Sequence, residues 1–125
     1  MESNILLYSS DSGEVSVQVR YEDGTFWLTQ KRMAELFSVD VRTVNEHLQN
    51  IFASGEMSEE GTIRKIRIVQ TEGNRQVERN VAFYALEAII AVGYRVNSEQ
   101  ATRFRQWTTK TLDRAANCHD NEGLE

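Results

Sequence analysis

Gln30-Lys31-Arg32-Met33-Ala34-Glu35-Leu36-Phe37-Ser38-Val39-Asp40-Val41-Arg42-Thr43-Val44-Asn45-Glu46-His47-Leu48-Gln49 is the stretch on which the fold turns. Thr29 precedes it with a hydroxyl able to accept from an unpaired first-turn amide, which predicts a helix from Gln30 to Phe37. Asp40 offers the same cap to a second helix, Val41 to Phe52, and Ser54-Gly55 supplies its stop. Leu28 with Met33, and Val39 with Val44, hold the positions where a residue ahead of the cap packs on the first turn. Two capped helices are thus separated by about three residues. A helix-turn-helix needs a small residue where its helices approach and apolar anchors around the turn. Ala34 fits the first requirement, and Met33, Phe37, Val39 and Val44 the second. Ser38 stands where the turn usually has Gly, and His47 where the second helix is usually apolar. The plainer reading is an ordinary helical hairpin.

On the amino-terminal side, Val15, Val17 and Val19 alternate with Ser16, Gln18 and Arg20, and Asp23-Gly24 turns into Thr25-Phe26-Trp27-Leu28. This predicts an N-terminal β-hairpin. On the other side, Thr62 to Gln70 is rich in β-branched residues, Thr71-Glu72-Gly73-Asn74 is turn chemistry, and Arg75 to Phe83 returns as strand. Tyr84 to Arg95 reads as a buried helix interrupted or ended near Gly93. A cap at Asn97 or Ser98 opens a last helix whose stripe is Ala101, Phe104, Trp107, Thr108, Thr111 and Leu112, ending near Ala116. The fold class is therefore α+β: a winged helix-turn-helix-like domain with an N-terminal β-hairpin, a basic wing hairpin and two C-terminal helices. It spans residues 1–116. Residues 117–125 are expected to be a disordered polar tail, partly vector-derived, since Leu124-Glu125 reads as a cloning scar.

A chain of 125 residues, 40% hydrophobic and 26% charged, suffices for one domain with its own core. Cys118 is the single cysteine, so no internal disulfide forms and a cytoplasmic location is expected. No basic segment precedes Ile5-Leu6-Leu7-Tyr8, and no apolar run approaches 18 residues, so neither a signal peptide nor a membrane span is expected. Net charge is −5, which by itself opposes a polyanionic partner. Its distribution does not: residues 1–25 carry −4 and residues 115–125 carry −3, whereas residues 62–82 and 95–114 each carry +3.

The outward residues of the second helix, Arg42, Thr43, Asn45, Glu46 and Gln49, are candidates for the major groove, where Arg pairs with guanine and Asn or Gln with adenine. Lys31 and Arg32, near the start of the first helix, suit phosphate, and Thr29 and Gln30 beside them are further DNA-binding candidates. A basic hairpin directly after a recognition helix is the layout of a wing, and Arg64, Lys65, Arg67, Asn74, Arg75 and Arg79 would supply its contacts. Against this, Arg42 and Glu46 stand four apart and could form a simple surface ion pair.

Trp27-Leu28-Thr29-Gln30, Met33-Ala34-Glu35-Leu36-Phe37, Asn50-Ile51-Phe52-Ala53-Ser54-Gly55-Glu56, the run Phe83 to Val96 and Phe104-Arg105-Gln106-Trp107 resemble the N-terminal region of the virulence protein RhuM family. The resemblance spans about residues 5–114. It implies the N-terminal part of a longer, virulence-associated bacterial protein. A fainter likeness to the phage antirepressor Bro-N and KilA-N domains implies DNA binding.

No phosphate loop, nucleophile elbow or His-Glu-x-x-His motif is present. His47, His119 and Cys118 do not make a metal set, so no catalytic residues, metal or cofactor are expected. The expected function is that of a DNA-binding domain in a bacterial or phage-derived transcription regulator, with double-stranded DNA as partner and a homodimer as an option. The alternative is a protein-interaction or dimerisation module, built on the apolar run Phe83 to Val92 and on Phe104 and Trp107, which are assigned first to the core.

Overall fold

A computed structural model describes residues 4–10, 13 and 15–124. Its elements are β1 (Asn4–Ser9), β2 (Ser16–Glu22), β3 (Thr25–Leu28), α1 (Gln30–Phe37), α2 (Val41–Ala53), β4 (Ile63–Glu72), β5 (Arg75–Ala85), α3 (Leu86–Val96) and α4 (Ser98–Leu124). The five strands form one antiparallel sheet in the order β1-β2-β3-β5-β4, and the fold is α+β.

The two expected hairpins are therefore parts of a single sheet. Trp27 pairs with Ala85 and Leu28 with Tyr84, which joins them. The N-terminal hairpin also gains a strand, β1, in the segment read only as a short apolar run. Its pattern follows from pairing: Tyr8 is buried opposite Val17, whereas Ile5 and Leu7 point to the other side and are 56% and 60% exposed.

Side chains alternate across a strand, so register fixes two faces. On one face Val17, Val19, Phe26, Leu28 and Tyr84 join Met33, Leu36 and Phe37 of α1, Val44, Leu48 and Ile51 of α2, Ala88, Ile89 and Val92 of α3, and Ala101 and Phe104 of α4. This is the main core, and it absorbs the stripe and the apolar run from Leu86 to Val92 as expected, whereas Phe83 and Ala85 lie on the other face. On the other face lies a separate cluster of strand residues, Trp27, Phe83 and Ala85 with Ile66, Ile68 and Val81.

An isolated helix of eight residues is marginal in water. Burial of Met33, Leu36 and Phe37, each contributing about 1.5–3 kcal/mol, supplies what α1 lacks. Its start is capped as read, with the Arg32 amide donating to Thr29 Oγ1 at 3.1 Å. Ser38 ends it in the left-handed conformation, φ 58°, the geometry for which Gly is usual. Asp40 holds the cap position of α2, but its side chain makes no capping bond.

α3 starts at Leu86, two residues later than the apolar pattern implied, because Tyr84 and Ala85 are held in β5 by Leu28 and Trp27. Gly93 neither interrupts nor ends it. A Cβ there would lie 2.6 Å from Phe37 Cζ and 2.7 Å from the Ala101 Cβ, so this glycine marks where α3 crosses α1 and α4. Asn97 caps α4, its Oδ1 accepting from the Gln100 amide at 3.3 Å. α4 continues past Ala116 to Leu124; this stretch holds no proline to stop a helix. The expected tail, residues 117–125, falls where helical backbone alone is described, and Glu125 lies outside the described residues. Among the described residues no helix is long and apolar enough to cross a membrane.

Candidate nucleic-acid interface

The buried side of α2 is Val44, Leu48 and Ile51, which turns Arg42, Glu46 and Gln49 to solvent and leaves Thr43 and Asn45 half-buried. Arg42 Nε lies 3.4 Å from Glu46 Oε1, so the surface ion pair forms, but the side chains remain 88% and 61% exposed. Such a pair is worth a few tenths of a kcal/mol, about 0.3–0.5, and a phosphate or a base edge displaces it readily.

At the junction of α1, α2 and β5 the Gln30 amide Nε2 donates to Asn45 Oδ1 at 3.2 Å and to the Tyr84 hydroxyl at 3.0 Å. Two of the expected contact residues, Gln30 and Asn45, are thereby tied to each other. Tyr84 is the residue that sequence reasoning missed. Read as the start of a helix, it is in fact the strand residue that, through Gln30, couples the hairpin to α2. Phe83, Tyr84 and Ala85 are all buried, so no in-and-out alternation marks them as the end of β5.

Asn45, Leu48, Gln49 and Phe52 of α2 line one cleft with Ile63 and Tyr84, so the root of β4–β5 lies beside α2. Ile63 is on the helix-side face, and Lys65 and Arg67 follow it at two-residue steps. These two cations therefore continue the surface of Gln49 and Asn45 along the hairpin. Arg67 has a loose partner, Glu78 at 3.8 Å, and Lys65 has no ion pair among the described residues.

The other residues expected to act as a wing are placed differently. Arg64 lies on the opposite face, 2.8 Å from Glu22 and 2.6 Å from Asp23, with its guanidinium carbon 4.5 Å from the centroid of the Trp27 ring. Hydrogen bonds to Glu22 and then Asp23 raise its pKa further above the usual value, so it is a fixed cation. Arg79 is on the same far face by register and is bound to Glu72 through two hydrogen bonds, 2.8 and 3.0 Å. Asn74 and Arg75 are exposed at the tip, and Arg75 has no ion pair among the described residues. At the start of α1, Lys31 is exposed and Arg32 is bonded to Glu35 at 3.1 Å. Thr29 is occupied as the cap.

The fifteen candidates therefore do not form one surface. Asn45 and Gln49 line the cleft at Ile63, from which Lys65 and Arg67 continue on the helix-side face of the hairpin, Arg42 and Glu46 are exposed on α2, and Arg64 and Arg79 belong to the other face of the sheet.

The model of the virulence protein RhuM family matches residues 61–117, from the entry to β4 into α4. The resemblance read from the sequence is borne out over that stretch. No curated protein and no solved structure matches the chain.

Proposed function

We propose that this chain, whose residues 61–117 match the RhuM family, is the DNA-binding domain of a bacterial or phage-derived regulator, acting as a winged helix-turn-helix. In this reading α2 enters the major groove and β4–β5 lies along the backbone. One observation carries it: the outward side of α2 and the cations Lys65 and Arg67 share one side of the molecule, joined through the cleft at Ile63 and Tyr84.

Arg42 and Gln49 take the role of base readers, and Lys65 and Arg67 that of phosphate contacts. Asn45, held by Gln30, orients the helix rather than reading freely. Arg64 and Arg79 are relieved of the contact role, because each already has carboxylate partners. A net charge of −5 is compatible with this, since the acidic excess lies in residues 1–25 and 115–125.

The test is fluorescence-anisotropy titration of a random duplex pool at about 50 and 200 mM salt, followed by selection of a preferred sequence. Arg42→Ala and Gln49→Ala are expected to lower the preference for the selected over the random duplex by about 1–3 kcal/mol each. Lys65→Ala is expected to weaken both duplexes alike. A folded domain that binds neither duplex at either salt overturns the reading.

A further inference from the structure

β3 is four residues long and leaves the sheet at Thr29, while its neighbours on both sides run on. On the side of β3, β2 is paired only at Arg20, Tyr21 and Glu22, and β5 only at Tyr84 and Ala85. A stretch of sheet is missing between Ser16–Val19 and the rest of β5.

The missing edge can be assigned atom by atom. The Ala85 amide donates to the Thr62 carbonyl, so odd-numbered residues of β5 direct their backbone groups toward β4. Even-numbered ones, Asn80 and Ala82, direct theirs into the gap, where no strand accepts them among the described residues. An unpaired strand edge of this kind is a template for another strand.

Two clefts flank the gap. One, of about 350 Å³, runs from Ile5, Gln18 and Arg20 across to Ile68, Val81 and Phe83, and the other lies between Lys31 and Asn80. Thr29, Lys31 and Val81 border both, which leaves the edge of β5 open from either side. No carboxylate lines either cleft; of the cations that do, Arg32 is paired with Glu35 and Arg79 with Glu72, Arg20 has a loose partner in Glu22 at 3.9 Å, and Lys31 has no ion pair among the described residues. The Nε of Arg20 is buried without a hydrogen-bond partner among the described residues.

We propose that the free edge of β5, at Asn80 and Ala82, takes an added strand from a partner protein, an extended segment in which apolar residues alternate with acidic ones. Backbone pairing supplies the affinity. The aliphatic residues Ile5, Ile68 and Val81 select the apolar side chains, and Lys31, with no ion pair among the described residues, together with the unpartnered Nε of Arg20 selects the acidic ones. A single-stranded nucleic acid would also satisfy the charge, but it needs open aromatic faces for its bases. Trp27 and Phe83 are 3% and 8% exposed, with Arg64 and Arg20 over their rings, so the lining favours a peptide.

The probe is a capped, fluorescein-labelled heptapeptide of alternating valine and glutamate, titrated into the full chain by anisotropy. The matched valine–lysine peptide and an oligo-dT strand are the comparisons. Binding of the glutamate peptide is expected, weakened about tenfold by Asn80→Pro, which removes an edge amide without touching a β4 bond, and by a similar factor in Arg20→Gln. Arg20→Gln leaves the backbone unchanged and gives a second reading should Asn80→Pro fail to fold. No binding, equal binding of the lysine peptide, tighter binding of oligo-dT, or indifference to both variants overturns the proposal. Concentration-dependent dimerisation that both variants abolish overturns it too, in favour of a second copy of the chain. Neither variant lies among the groove-reading or backbone-contacting residues of the DNA reading, so failure here leaves that reading standing.

Discussion

The two faces of the β4–β5 hairpin carry similar cations and use them differently. On the far face, Arg64 is bound between Glu22 and Asp23 and lies over Trp27, and Arg79 is held by Glu72. On the helix side, Lys65 is unpaired among the described residues and Arg67 has its nearest carboxylate at 3.8 Å. Adjacent residues in the chain thus divide into structural and available charge, because a strand sends neighbours to opposite faces. Net charge over a segment does not measure what a ligand meets; register does.

Five changes test this division. Trp27→Ala removes the ring that anchors the far-face cluster and the support of Arg64. It is expected to cost about 3–5 kcal/mol in chemical denaturation, far more than loss of any helix-side cation. Gly93→Ala strikes behind the helix side, forcing a methyl against Phe37 and Ala101. A loss of about 1–3 kcal/mol is expected from the same measurement, with the far-face tryptophan fluorescence unchanged in the native state. Arg64→Ala should lower stability by about 1 kcal/mol through the lost ion pairs and ring contact, whereas Lys65→Ala should leave the melting temperature within error. Ser38→Gly relieves a left-handed residue at the turn between α1 and α2. It should stabilise the fold by about 0.5–1 kcal/mol, read as a small rise in melting temperature.

What the sequence made legible follows the same line between local and non-local causes. The bounds of α1 were readable because Thr29 and the apolar spacing from Met33 to Phe37 lie within a few residues of each other. The core helices were readable from Ala88, Ile89, Val92 and Phe104 for the same reason. β1 was not, because four apolar residues become a strand only once Tyr8 finds Val17. Nor was the pairing of Arg64 with Glu22, 42 positions away, or the Gln30–Tyr84 bond, 54 positions apart. Both depend on β3 meeting β5, and nothing in either segment alone specifies that meeting.

The division of the hairpin is tested most directly by the salt dependence of duplex binding in two double variants, Lys65→Ala with Arg67→Ala and Arg64→Ala with Arg79→Ala. Each removes two positive charges from β4–β5. The account predicts that the first pair flattens the slope of log K against log salt by about 2 and weakens binding to all duplexes, while the second keeps the wild-type slope at a lower melting temperature. Equal loss of slope in both pairs would contradict it, and would mean that the far-face arginines leave their carboxylates to meet phosphate.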